Sequence, residues 1–282
     1  MKVSVIMTAY NVEKYIGQAI ESILNQTHKD LELVLVEDCS TDGTLSVIES
    51  FEDDRILLVR NPKNLGCGMS RRIGIDASSG DYIITIDSDD WIDLDYIEKM
   101  VKNAEETGAD IVCSGVTIYG KDGYWEKTNY GNVIHEGDDK VVKYWGNKIV
   151  FLNNKIVRRE IAMQHKYCVR RYIEDTPTVI PWLYLANKVS YIDGTGYHYR
   201  YNEQSLTRTR TAFKHALYSL LCVLDLNDFF TANAPEMLKK VPLEGMFQEQ
   251  QAILIASKPT MNDISKEMPA WMEYSMKMLL KE

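Results

Sequence analysis

Cysteine is scarce in this 282-residue chain. Cys39, Cys67, Cys113, Cys168 and Cys222 are odd in number, widely spread and include no CxxC pair. That pattern argues against a disulfide framework and a zinc site, and it fits reduced thiols in a cytoplasm. No apolar run approaches the roughly 20 residues a membrane-spanning helix needs, so any membrane association is expected to be peripheral, on the inner face. Met1 leads at once into the strand-like Val3–Met7, and no secretion signal is expected. Positive charge is in the minority, 32 basic against 41 acidic residues for a net charge of -9. That sign opposes general attraction to nucleic-acid phosphates, and no nucleic-acid partner is expected. Internal repeats and low-complexity segments are absent as well.

What is present is ordinary globular composition, 45% hydrophobic and 26% charged, long enough for one large α/β domain with an appendage. Four apolar runs, Val3–Met7, Leu31–Val36, Ile56–Val59 and Tyr82–Ile86, predict strands covered on both faces. Between the first two, Ile16, Ala19, Ile20, Ile23 and Leu24 repeat at helical spacing, with Asn11 as the expected N-cap. Further helices are predicted over Thr44–Phe51, Gly68–Ala77 and Asp95–Glu106, the last ended by Gly108 before a strand at Ile111–Ser114. This alternation predicts a doubly wound, mostly parallel sheet, whose ligands bind where loops converge beyond the carboxyl ends of the strands. From Val116 to Tyr144 the periodicity fades, predicting loops or an inserted hairpin. After Thr209 the pattern is helical again. Ala216, Leu217, Leu220, Leu221 and Leu224 form one apolar face, for docking to a membrane or partner or for packing, and Pro235, Pro242, Pro259 and Pro269 break the later helices.

The strongest chemical feature is Asp87-Ser88-Asp89-Asp90, directly after a strand. Alternate carboxylates there can converge on one hard cation, Mg2+ or Mn2+, although an acidic loop capping the next helix has the same composition. Asp38 follows the second strand, where its carboxylate can accept the N3–H of uracil. Capping the helix near Thr44 is the alternative, and Ser40 or Thr41 would serve that equally well. Thr8 and Tyr10 follow the first strand, where an aromatic ring can stack on a base or simply sit beside a capping Asn. In Asn64 to Arg71 the glycines permit close backbone approach, and Arg71 offers a bidentate partner for phosphate, as many solvated arginines also would.

Thr8-Ala9-Tyr10-Asn11, Val36-Glu37-Asp38, Asn64 to Arg71 and Ile86 to Asp90, in this order, resemble the family 2 glycosyltransferases. The resemblance continues through Asn154-Lys155-Ile156-Val157-Arg158-Arg159-Glu160, Glu174-Asp175 and Tyr199-Arg200-Tyr201-Asn202-Glu203-Gln204-Ser205, covering roughly residues 1–209. It implies a GT-A type α/β fold, a Rossmann-like sheet flanked by helices. Residues 1–115 would form the nucleotide-sugar half and residues 116–209 the acceptor half, with residues 210–282 a helical appendage. It further implies an inverting, hexosyltransferase-like enzyme of cell-surface polysaccharide or glycoconjugate synthesis. Its partners would be a nucleotide-sugar donor, with UDP expected, and a glycan or lipid-linked glycan acceptor. Thr8, Tyr10 and Asp38 would hold the nucleoside. Arg71, Asp87, Ser88 and Asp89 would hold diphosphate and metal, Arg200 and Ser205 would grip the pyrophosphate, and Asp175 would be the base.

Three departures from the family pattern stand out. Glu37-Asp38-Cys39-Ser40 replaces the commoner Asp-Asp-Gly-Ser, Arg72 stands where Asn is frequent, and Asn202 stands where many relatives have His. The last leaves a third protein ligand to the metal open, with His198 as a substitute or as a packed residue. For Asp175 the alternative role is capping at a helix N-terminus, given Pro177 nearby. Two rival functions remain. A sugar nucleotidyltransferase should carry a Gly-rich, Lys/Arg-bearing loop after strand one, which Thr8-Ala9-Tyr10-Asn11 is not. A nucleotide-sugar-binding protein without turnover would lack Asp175 or the paired Asp residues.

Overall fold

The apolar runs near the N-terminus become neighbouring parallel strands, because segments buried on both faces must find partners for their backbone groups. The computed structural model describes residues 1–146, 151–165, 173–203, 205 and 211–256. In it these runs are β1 (Val3–Ala9), β2 (Leu31–Glu37), β3 (Ile56–Arg60) and β4 (Tyr82–Thr85), side by side in the order β3-β2-β1-β4. Val3 of β1 aligns with Leu31 of β2 on one side and with Tyr82 of β4 on the other. Strand order therefore reverses between β1 and β4, and the segments that leave their carboxyl ends flank a crevice. β3 departs from the expected double burial: it is the sheet edge, and Leu57 is 43% exposed.

Helices α1 (Ile16–Leu24), α2 (Thr44–Glu49), α3 (Cys67–Ala77) and α4 (Tyr96–Thr107) follow these strands. α1 buries Ile16, Ala19, Ile20 and Ile23 against the sheet, as their spacing predicts. Asn11 is not its cap, because the helix starts one turn later, after Tyr15. Asn11 instead takes a left-handed φ of 53°, and its Oδ1 accepts from the backbone N–H of Thr41 at 2.8 Å. It ties the loop after β1 to the loop after β2.

Beyond β4 the sheet becomes mixed. β9 (Lys155–Arg158) runs antiparallel to both β4 and β6 (Ile111–Gly120), and β10 (Lys188–Tyr199) is parallel to β6. β5 (Trp91–Ile92) closes this side antiparallel to β10. The all-parallel run of neighbours thus ends at β4, and among the described strands beyond it only β6 and β10 pair in parallel. The strand expected at Ile111–Ser114 extends to Gly120 and turns into the hairpin partner β7 (Gly123–Lys127). β8 (Val133–Glu136) and α5 (Asp139–Gly146) complete the segment that lacked periodicity, followed by α6 (Arg159–Gln164) and α7 (Asp175–Leu185).

The chain divides into two compact units, Met1–Glu203 and Gln204–Glu282. The sheet joins residues from both predicted halves in the first unit. In the second, a helix over Ala212–Asn233 packs on a helix over Leu243–Ala256, with a 3-10 turn at Pro235–Lys239 between them. Ala216, Leu217, Leu220 and Leu221 are buried, so packing accounts for this apolar face, but Leu224 is 40% exposed. The buried stripe continues through Val223, Leu226 and Phe230, an i, i+3, i+7 series that leaves Leu224 on the open flank. Pro259 and Pro269 lie outside the described residues. Among the described residues no helix is long and apolar enough to cross a membrane.

Candidate active site

The loops after β1 and β2 leave neighbouring strands in register, Ala9 opposite Glu37. Tyr10, 47% exposed, presents its ring there beside half-buried Thr8. Asp38 is buried. Its Oδ1 accepts from Asn61 Nδ2 at 2.7 Å and from the Leu65 N–H at 2.8 Å, and its Oδ2 accepts from the Gly66 N–H at 2.8 Å. It therefore braces the loop that opens α3, where Gly66 needs a φ of 85°, and does not cap α2. Among its lone pairs, one on Oδ2 is left for a ligand. Glu37 closes the same turn by accepting from the N–H groups of Cys39 and Ser40.

On the other side of the crevice, Ile86 continues β4 by donating to the Ile6 carbonyl and delivers Asp87 to Asp90. Asp87 Oδ1 accepts from Arg71 Nη2, and Oδ2 from Asn153 Nδ2, both at 2.5 Å. Asp89 Oδ2 accepts from Asn202 Nδ2 at 2.9 Å, and its carbonyl from Arg200 Nε at 2.7 Å. Asp90 points inward, accepting from Tyr197 Oη at 2.5 Å and the Arg200 N–H at 2.7 Å. It anchors this loop to the end of β10. Ser88 is buried between them. Burial pushes the Asp89 carboxyl up first, with the charge of Asp87 next.

Arg71, on the first turns of α3, binds across the site. Its Nη1 donates to Glu174 Oε1 at 2.6 Å and lies 3.8 Å from Asp175 Oδ1. Asp175 is the first residue of α7, where the helix dipole favours a carboxylate, yet its side chain keeps 37% exposure. Crowding by protein atoms and the neighbouring Glu174 charge raise its pKa to about 7, with Arg71 opposing. Just before this pair, Ile173 adopts a φ of 53°, a strained value for a β-branched residue. Behind it Lys155 is fully buried. Its ammonium donates to the Phe151 carbonyl and to Asn154 Oδ1, and burial lowers its pKa to about 8.

Arg200 stands over the Trp91 ring at 4.5 Å and the Tyr15 ring at 5.3 Å, and Nη2 donates to Gln18 Oε1. His198, the alternative metal ligand, has partners on both ring nitrogens. It stacks on Trp91 at 4.9 Å, and its two ring nitrogens face Asp93 Oδ1 and Tyr119 Oη. Asn202 reaches Asp89 instead. Ser205 belongs to the second unit. No local pattern signals Asn153 and Tyr197, which hold Asp87 and Asp90 from 66 and 107 residues away. Among the described residues no three His, Cys, Asp or Glu side chains gather around one point. The donor set fits a hard divalent cation bound through two carboxylates and completed by substrate phosphates and water. It does not fit an all-protein cage.

Carboxylates and arginines gathered at a strand-order reversal lie where open α/β sheets bind their ligands. Residues 4–166 match the model of the family described as Glycosyl transferase family 2, and the chain belongs to that family. It is 32% identical over 231 residues to "Glycosyltransferase GlyA" of Streptococcus pneumoniae, covering 77% of this chain and 33% of that protein. Over 121 residues it is 36% identical to "Succinoglycan biosynthesis protein ExoO" of Rhizobium meliloti, covering 43% of this chain and 35% of the relative. The chain therefore spans about a third of the length of each of these two relatives. A crystal structure of S. aureus TarS 1-349 in complex with UDP-GlcNAc superposes with a TM-score of 0.70 at 19% identity, over 92% of this chain and 82% of that one. That likeness supports the GT-A type fold.

Proposed function

We propose that this chain is an inverting, metal-dependent glycosyltransferase that moves a sugar from a UDP-sugar to a hydroxyl of a glycan or lipid-linked glycan. The observation that carries this reading is the link through one guanidinium, Arg71, between Asp87 of the acidic motif and the Glu174-Asp175 pair. The proposed donor-binding and base groups would thereby share one crevice.

Tyr10 and Thr8 would hold the nucleoside, and the remaining lone pair of Asp38 would accept the uracil N3–H. Arg71 and Arg200 would bind the diphosphate. Asp87 and Asp89 would hold Mg2+ or Mn2+, which when bound supplies positive charge to the departing diphosphate. Asp175 would take the acceptor's O–H proton as the new bond to the anomeric carbon forms. The old carbon–oxygen bond breaks in the same step, its electron pair leaving on the diphosphate. One base on the face opposite the leaving group gives inversion. A carboxyl with a pKa near 7 is a stronger base than an ordinary Asp and still half ionised at neutral pH.

Calorimetry tests donor and metal together. UDP should bind in the presence of Mn2+, lose affinity on addition of EDTA or in Asp89→Asn, and exceed CDP. UDP binding unaffected by EDTA would remove the metal from this reading, and better binding of CDP would remove uracil.

A further inference from the structure

The two ends of the Arg71 fork meet different surroundings. Nη1 lies 2.6 Å from Glu174, whose side chain is 10% exposed and also accepts from Cys67 Sγ at 3.2 Å. Nη2 lies 2.5 Å from Asp87, whose side chain is 26% exposed at the crevice. One end is thus an internal anchor. The other occupies the carboxylate assigned above to the metal, an assignment on which this inference rests. Each oxygen of Asp87 already accepts one bond, Oδ1 from Arg71 and Oδ2 from Asn153, and a guanidinium repels a divalent ion held on the same carboxylate.

We propose that Arg71 is a resident counter-cation of Asp87, exchanged for metal only when a nucleoside diphosphate arrives with it. Before the donor binds, Arg71 neutralises Asp87 and opposes occupation by free metal. When donor and metal enter together, a small rotation about the Glu174 contact carries Nη2 from Asp87 to a phosphate oxygen. The same charge is then used on either side of the exchange, and Glu174 is the positioning residue that makes Arg71 pivot without leaving. Metal and nucleotide consequently bind as a coupled pair.

The test is Mn2+ binding to the full chain, followed by electron paramagnetic resonance with and without UDP. Wild type should bind Mn2+ alone weakly and gain more than about tenfold with UDP, within the usual range of coupling between sites. Arg71→Gln should bind Mn2+ alone about tenfold more tightly and lose most of the gain from UDP, whereas Arg71→Lys should stay near wild type for Mn2+ alone. If Arg71→Gln binds Mn2+ alone no better than wild type, the exchange is wrong although metal dependence stands. If wild type binds no Mn2+ even with UDP, metal dependence falls and the exchange falls with it. Should Arg71→Gln not fold, a crystal structure of the wild type with Mg2+ and UDP decides. Nη2 on a phosphate oxygen with Nη1 still on Glu174 supports the exchange, and Nη2 still on Asp87 overturns it.

Discussion

At Cys39 the backbone turns with a φ of 62°, a region that costs a residue with a Cβ and is free to glycine. The angle explains why the related motif commonly has Gly there. The turn is over-determined by Glu37, whose carboxylate accepts from the N–H groups of Cys39 and Ser40, so Cys39 is held in it. Cys39→Gly should stabilise the protein by about 0.5–1 kcal/mol and Cys39→Val should destabilise it by more than that, read as shifts in thermal midpoint. An unchanged midpoint in both would mean that the turn carries no strain. Asp87, Asp89, Arg71 and Asp175 could be found in the sequence because each stands in a short motif at an element end. Asn153 and Tyr197 could not, since their roles come from contacts across 44 to 110 residues and no local pattern encodes those.

Among the elements, α3 matters most to the site because it carries Arg71 and lies close on β1 and β2. Gly74 permits that approach: a Cβ there would come 2.6 Å from Ile6 Cγ2 and 3.2 Å from Val36 Cγ2, both on buried β-branched side chains. Gly74→Ala gains about 1 kcal/mol of helix propensity, but overpacking costs about 1–3 kcal/mol. The net expectation is a lower thermal midpoint together with a raised KM for donor, as α3 shifts Arg71. Gly17→Ala in α1 is the contrast, with only an ordinary 3.7 Å contact to Val47, and should leave KM alone and raise the midpoint. Equal behaviour of the two variants would contradict the close-packing account. β1, β2 and β4 were legible as continuous apolar runs, but β5, β9 and β10 were not. β5 and β9 span two and four residues, and β10 bends through a bulge between Tyr191 and Tyr197. Their places are set by partners far along the chain.

Over the whole molecule negative charge predominates, 41 acidic against 32 basic residues, and the proposed diphosphate site would have to offset it. The first unit meets this locally. Arg71, Arg200 and Lys155 stand among Asp87, Asp89, Glu174 and Asp175, where the proposed donor site and the proposed base would meet. The central claim is that Asp175 is the base of this arrangement. Its raised pKa sets the sign of the pH dependence: below about 7 the carboxyl is increasingly protonated and cannot accept the acceptor's proton, so wild-type transfer should rise towards a plateau above that pH. The most direct measurement compares Asp175→Asn with wild type on that plateau, with UDP affinity measured alongside. The account predicts a loss of about a hundredfold or more in transfer with UDP binding nearly unchanged. Transfer at near wild-type rate by Asp175→Asn would contradict it and move the base elsewhere.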